Sequence, residues 1–141
     1  MIRVFVYGTL LEGEANHEVV APHLLSVRPG AVRGRLYDAG CYPALVLSGD
    51  VSADPLIEGE WIVVSEEGLL RMDELEDYHG PGEDNDYERV WIRDAIKEER
   101  EGWVYVWRHP RGCPPLPSGS WRKYLREREA GGSSPGHSGA G

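Results

Sequence analysis

A chain of 141 residues with 40% hydrophobic content has room for a single domain with one buried core. Its formal charge of −9, with scattered basic residues, argues against nucleic acid or an anionic membrane as partner, and no apolar run nears the roughly 20 residues of a membrane span. The N-terminus lacks a basic-then-apolar leader, and Cys41 and Cys113 stand far apart without metal spacing, so a cytoplasmic protein with reduced thiols is expected.

Met1 to Val6 is an apolar run, rich in β-branched residues and broken only by Arg3, which predicts a central strand. Tyr7-Gly8-Thr9-Leu10 stops it, with Gly8 expected to supply backbone angles closed to other residues, and Leu11 to Asn16 is turn-rich. A strand that ends this way lays bare N–H groups, which with the Thr9 hydroxyl suit a carbonyl or carboxylate oxygen; the plainer alternative is a strand ending in a turn. Asn16 is placed to cap a short helix over residues 17–25, interrupted by Pro22. His17 and His23 there read as surface or helix-end histidines. Pro29-Gly30 marks a turn or bulge, and Ala31 to Tyr37 alternates as a half-buried strand does. A loop over 38–43, a short apolar strand over 44–47 and a polar turn over 48–55 follow. Leu56 to Ser65 is the next strand, in which Trp61-Ile62-Val63-Val64 is apolar on both faces.

Glu66 to Tyr78 is the clearest helix, ended by His79-Gly80-Pro81-Gly82 and followed by the acidic loop Glu83-Asp84-Asn85-Asp86. Tyr87 to Ile96 and Gly102 to Arg108 predict two strands joined by the charged turn 97–100. In the second, Trp103, Tyr105 and Trp107 share one face while Val104 and Val106 share the other. A proline-rich loop then leads to Ser118-Gly119-Ser120-Trp121, which opens a short helix through Arg128. Residues 1–128 make the domain, and the Gly/Ser-rich residues 129–141 are expected to be a disordered tail. About six strands with two or three short helices, outside strict βαβ alternation, predict an α+β domain. Its mixed sheet is expected to curl into a small barrel, because several strands read as apolar on both sides.

On a helical wheel at about 100° per residue, Leu69, Leu70, Met72 and Leu75 define the apolar side of the helix after Ser65. Glu76 falls within roughly 20–30° of its centre, Glu74 falls opposite, and Asp73 and Asp77 lie on the flanks. A carboxylate facing a core must be paired, hydrogen-bonded or neutral. Desolvation would raise its pKa and suit it to act as a general base near neutral pH. Two structural alternatives stand beside that reading: the helix frays before Glu76, or Arg89 or Arg35 neutralises it.

These motifs together resemble the γ-glutamylcyclotransferase-like (AIG2-like) family, in its small bacterial form. Tyr7-Gly8-Thr9-Leu10 matches the family's opening motif, and Gly40-Cys41-Tyr42-Pro43-Ala44 its Tyr-Pro motif. Met72-Asp73-Glu74-Leu75-Glu76-Asp77 matches Leu-Asp-x-x-Glu-Gly, whose glutamate is catalytic. Tyr87-Glu88-Arg89 matches Tyr-x-Arg, Trp103-Val104-Tyr105 the aromatic strand, and Ser118-Gly119-Ser120-Trp121 the closing segment. The likeness spans about residues 1 to 125. Asp77 departs from the usual glycine and Met72 from leucine, and the loop 83–86 matches no family motif.

The resemblance implies cleavage of a γ-glutamyl amide by attack of its own α-amino group, releasing 5-oxoproline and a free amine or amino acid. Glu76 would be the general acid/base and the N–H groups of residues 7–10 the oxyanion donors. Tyr7, Gly8, Thr9, Leu10, Tyr42, Pro43, Tyr87 and Tyr105 would line the substrate site, the tyrosines either touching substrate or simply packing. No metal or cofactor is called for. A γ-glutamylamine cyclotransferase with another leaving group and a non-catalytic ligand-binding module are the rivals. A monomer and a homodimer stay equally open.

Overall fold

Alternation along the first strand sorts the interior into two cores. Val4 and Val6 belong to one, with Ile62, Val64, Met72, Tyr87, Tyr105 and Trp107. Phe5 and Tyr7 belong to the other, with Leu36, Leu45, Ile57, Trp61, Val104 and Val106. A strand with apolar residues on both faces can therefore be covered on both faces without any closure of the sheet.

The computed structural model describes residues 1–50 and 52–130. Its elements run β1 (Ile2–Val6), α1 (His17–Val20), a 3-10 turn (Ala21–His23), β2 (Leu24–Arg33), β3 (Arg35–Asp38), β4 (Pro43–Val46) and β5 (Leu56–Val64). They continue with α2 (Glu66–Leu75), β6 (Glu88–Arg93), β7 (Glu101–Val106) and α3 (Trp121–Ala130). Five strands form one mixed sheet in the order β2-β5-β1-β7-β6, and β3 pairs with β4 in a second, two-stranded sheet. β1 lies between an antiparallel β5 and a parallel β7, so its C-terminal end opens beside two different neighbours. The domain is α+β with a mixed sheet, as expected. The sheet does not close among the described residues, since β2 and β6 stay as its two edges. Layering accounts for what the apolar pattern suggested was a barrel. No helix among them is long and apolar enough to cross a membrane.

Three segments depart from the sequence reading for identifiable reasons. The helix expected over 17–25 gives way to the 3-10 turn at Ala21 and to strand at Leu24, because Pro22 cannot donate into a continuing helix. Pro29-Gly30 lies inside β2, opposite Glu60 and Gly59, and does not turn the chain. An edge strand tolerates that proline, which has no N–H to donate, and the Pro29 carbonyl accepts from Arg100 Nη1 at 3.4 Å. The strand expected over 31–37 is split at Gly34 into β2 and β3, making seven strands in all among the described residues. α3 continues past Arg128 to Ala130, and the tail expected over 129–141 otherwise lies outside the described residues.

α2 starts on Ser65, whose side chain accepts from Gly68 N–H at 3.1 Å, with Glu66 and Glu67 in the positive first turn. It stops three residues short of the expected Tyr78. Glu76 is its C-cap, Asp77 N–H donates to Glu74 O at 3.2 Å, and Tyr78 N–H to Asp73 O at 2.9 Å. This pair of bonds is the Schellman motif, and it holds Asp77 at φ 55°, a left-handed conformation that glycine adopts without strain. The glycine usual in the resembling family thus has a backbone reason. Asp77→Gly is expected to be more stable than Asp77→Ala by about 1 kcal/mol, the reverse of their order inside a helix. Urea unfolding of the two variants measures it.

Candidate active site

Gly8, just beyond β1, does not have a positive φ; its need is room. A Cβ there would lie 2.5 Å from Pro43 Cγ and 2.7 Å from Cδ, so glycine lets the first loop press against the start of β4. The loop is then tied by Leu11 N–H to Gly8 O at 3.1 Å and Asn16 N–H to Thr9 O at 2.7 Å. The N–H groups of Gly8, Thr9 and Leu10 donate to no acceptor among the described residues. Asn16 does not cap α1 with its side chain; its Nδ2 donates instead to Thr9 Oγ1 at 3.0 Å.

Between this loop and the end of α2 lies a pocket of about 180 Å³. All nine residues singled out in the sequence line it: Glu76 from the C-cap of α2, Tyr7 to Leu10 from the loop, Tyr42 and Pro43, Tyr87 before β6, and Tyr105 from β7. Phe5, Val6, Asn16, Leu75 and Asp86 complete the lining and were not foreseen as site residues. Asn16 read as a cap, and Asp86 lay in a loop without a motif. Periodicity marks neither, since both enter the pocket through the path of loops.

Glu76 is half-buried at the pocket wall. Neither arginine considered as its partner reaches it. Arg35 is exposed on β3, and Arg89 Nη1 binds both carboxylate oxygens of Asp73, at 2.9 and 2.8 Å. Among the described residues the Glu76 carboxylate has neither a cation within 4.0 Å nor a hydrogen-bond donor. Burial first, and the Asp86 carboxylate second, push its pKa up from 4.5 to about 8. The apolar stripe that pointed to Glu76 is narrower than the wheel suggested: Met72 is fully buried, whereas Leu70 is 54% and Leu75 37% exposed.

The tyrosines are mostly committed to the protein. Tyr7 OH donates to Tyr105 O at 2.7 Å and accepts from Leu45 N–H at 3.2 Å, joining β1, β7 and β4. Tyr87 OH donates to Pro43 O at 3.0 Å, and Tyr105 OH to Asp73 Oδ1 at 2.6 Å. Burial raises the pKa of all three, so they are neutral walls at physiological pH. The Tyr42 hydroxyl alone of the four has no partner among the described residues. Chemically, the pocket offers one carboxylate poised to exchange a proton near neutral pH, opposite a loop with unpaired N–H donors.

Comparison with known proteins points the same way. A family model described as γ-glutamyl cyclotransferase, AIG2-like, matches residues 4–123. The γ-L-glutamyl-butirosin B γ-glutamyl cyclotransferase of Niallia circulans is 38% identical over 134 residues, covering 93% of this chain and 82% of that protein. A putative γ-glutamylcyclotransferase of Vibrio cholerae is 36% identical over 121 residues, 84% of this chain and 93% of that one. Among solved structures, an AIG2-like protein of mouse superposes with a TM-score of 0.60 at 25% identity, covering 100% of this chain and 88% of that one. With model and relatives matching across nearly its whole length, this chain belongs to the AIG2-like γ-glutamyl cyclotransferase family and is a cyclotransferase enzyme.

Proposed function

We propose that the enzyme cleaves a γ-glutamyl amide by internal aminolysis, with Glu76 as the general acid/base. The observation that carries this reading is the unpaired Glu76 carboxylate lining one pocket with the Gly8–Leu10 loop. The α-nitrogen of the glutamyl group gives a proton to Glu76 and attacks the γ-carbonyl carbon. Loop N–H groups hold the oxyanion while the new C–N bond forms. The old C–N bond then breaks, and Glu76 returns the proton to the departing nitrogen. Two protons in all pass from the α-nitrogen to the leaving group, giving 5-oxoproline and a free amine, with no water consumed. Nucleophile and electrophile share one molecule, so the pocket walls contribute chiefly by folding the substrate into a reactive shape. Supporting a γ-glutamyl amide is the activity named for the Niallia circulans relative.

The test is release of 5-oxoproline from a panel of γ-glutamyl amides, followed against pH. Glu76 must be ionised to accept the proton and its pKa lies at about 8, so kcat/KM is expected to climb from pH 6, reach half its plateau near pH 8 and level off about one unit above that. Release of free glutamate in place of 5-oxoproline would mean hydrolysis and would end the proposal. A flat pH profile would remove Glu76 as the base.

A further inference from the structure

The acidic loop after α2 enters the site through its backbone. Asp86 N–H donates to Asp77 O at 3.0 Å, and Tyr87 N–H to Glu76 O at 3.3 Å. These bonds lay the loop along the C-terminal end of α2 and set the Asp86 carboxylate in the pocket wall with Glu76. Asp86 is 39% exposed in its side chain, which puts it toward the mouth. Its Oδ1 accepts from Arg111 Nη1 at 2.6 Å, and the Arg111 guanidinium stacks 3.9 Å from the centre of the Trp107 ring. The second oxygen, Oδ2, has no partner among the described residues.

Arg111 itself does not line the pocket, and among the described residues neither does any lysine, other arginine or histidine. The charged groups of the lining are thus Glu76 and Asp86, both acids, while the Arg111 cation stands outside it. The glutamyl head carries one ammonium and one carboxylate, so it is close to neutral overall. What the mouth discriminates is the far end of the leaving group, where a second ammonium would be attracted to Asp86 and a carboxylate repelled.

Building on the internal-aminolysis reading, we infer that Asp86 is a specificity-determining residue selecting γ-glutamyl amides whose leaving amine carries a second ammonium group, such as a diamine or polyamine. Leaving groups that end in a carboxylate, as free amino acids do, are disfavoured. Three amides of equal length isolate the effect: γ-glutamyl-1,4-diaminobutane, γ-glutamylbutylamine and γ-glutamyl-4-aminobutyrate. Their kcat/KM ratios at one pH cancel any change in Glu76, because the base is common to all three. The diamine is expected to exceed the aminobutyrate by about tenfold at low salt, with the neutral amide between them, and the ratio should shrink as salt rises. Asp86→Asn should reduce that ratio by about tenfold, and Arg111→Gln, which frees the acid of its cation, should widen it. If wild type turns over all three alike, or if neither variant moves the ratio, the specificity role fails while internal aminolysis stands. If none of the three yields 5-oxoproline, both readings fail together. Should Asp86→Asn not fold, Arg111→Gln decides alone.

Discussion

Glu76→Gln is expected to lower kcat/KM for 5-oxoproline release by about 10²- to 10⁴-fold and, at alkaline pH, to make the protein more stable. The first effect follows from removing the only group proposed to exchange the proton. The second follows from linkage. Burial holds the native Glu76 carboxyl at about 8 against an ordinary 4.5, so between those values the native state keeps a proton that the unfolded chain has lost. Stability therefore falls as pH rises across that window, by up to about tenfold in the folding equilibrium per pH unit. Glutamine carries no such penalty. The variant and wild type should melt together near pH 4, and the variant should lead by a few kcal/mol above pH 8. Calorimetry at both pH values, beside the assay, reads both effects. Glu74→Gln is the control, since Glu74 is exposed and pairs with Arg71 at 2.8 Å. Its loss should leave turnover unchanged and stability within about 1 kcal/mol.

The residues that could be placed from the sequence are those whose role follows from a period or a stop. Glu76 emerged because seven residues separate it from Leu69 and four from Met72, and the helix holds through its C-cap. β1 emerged from its β-branched run, and the end of that strand from Tyr7-Gly8-Thr9. Two local rules lose to tertiary context. Pro29-Gly30 looks like a turn, yet an edge strand leaves the proline with no ladder bond to break on its outer side. Leu70 and Leu75 look like core on a wheel, yet α2 buries a stripe only as wide as Met72 and part of Leu69. Asp86 and Asn16 were illegible for another reason. Their place depends on a few hydrogen bonds between segments, Asp86 with Asp77 and Arg111 and Asn16 twice with Thr9, which leave no repeat in the sequence.

Asp73→Ala is expected to cost about 3–5 kcal/mol, because it strips the counter-ion from a guanidinium that cannot regain water. Arg89 lies 4.9 Å from the centre of the Tyr78 ring and 4.7 Å from that of Trp103, and its side chain is only 17% exposed. Its Nη1 is shared between the two Asp73 oxygens, and Tyr105 OH adds a third bond to the same carboxylate. Three of the motifs read from the sequence thus meet at one acid: the aspartate three residues before Glu76, the arginine of Tyr87-Glu88-Arg89 and the tyrosine of the aromatic strand. Losing the acid should also free the Tyr105 wall of the pocket and raise KM for the γ-glutamyl amide. Tyr105→Phe keeps the ion pair and removes one hydrogen bond, so its cost should stay near 1–2 kcal/mol. Combining Asp73→Ala with Arg89→Leu should recover most of the lost stability, since no buried charge is then left unpaired. It should not recover KM, because Tyr105 still lacks its acceptor. If the double variant is no more stable than Asp73→Ala in urea unfolding, the loss comes from a packing defect at Asp73 and not from the stranded arginine.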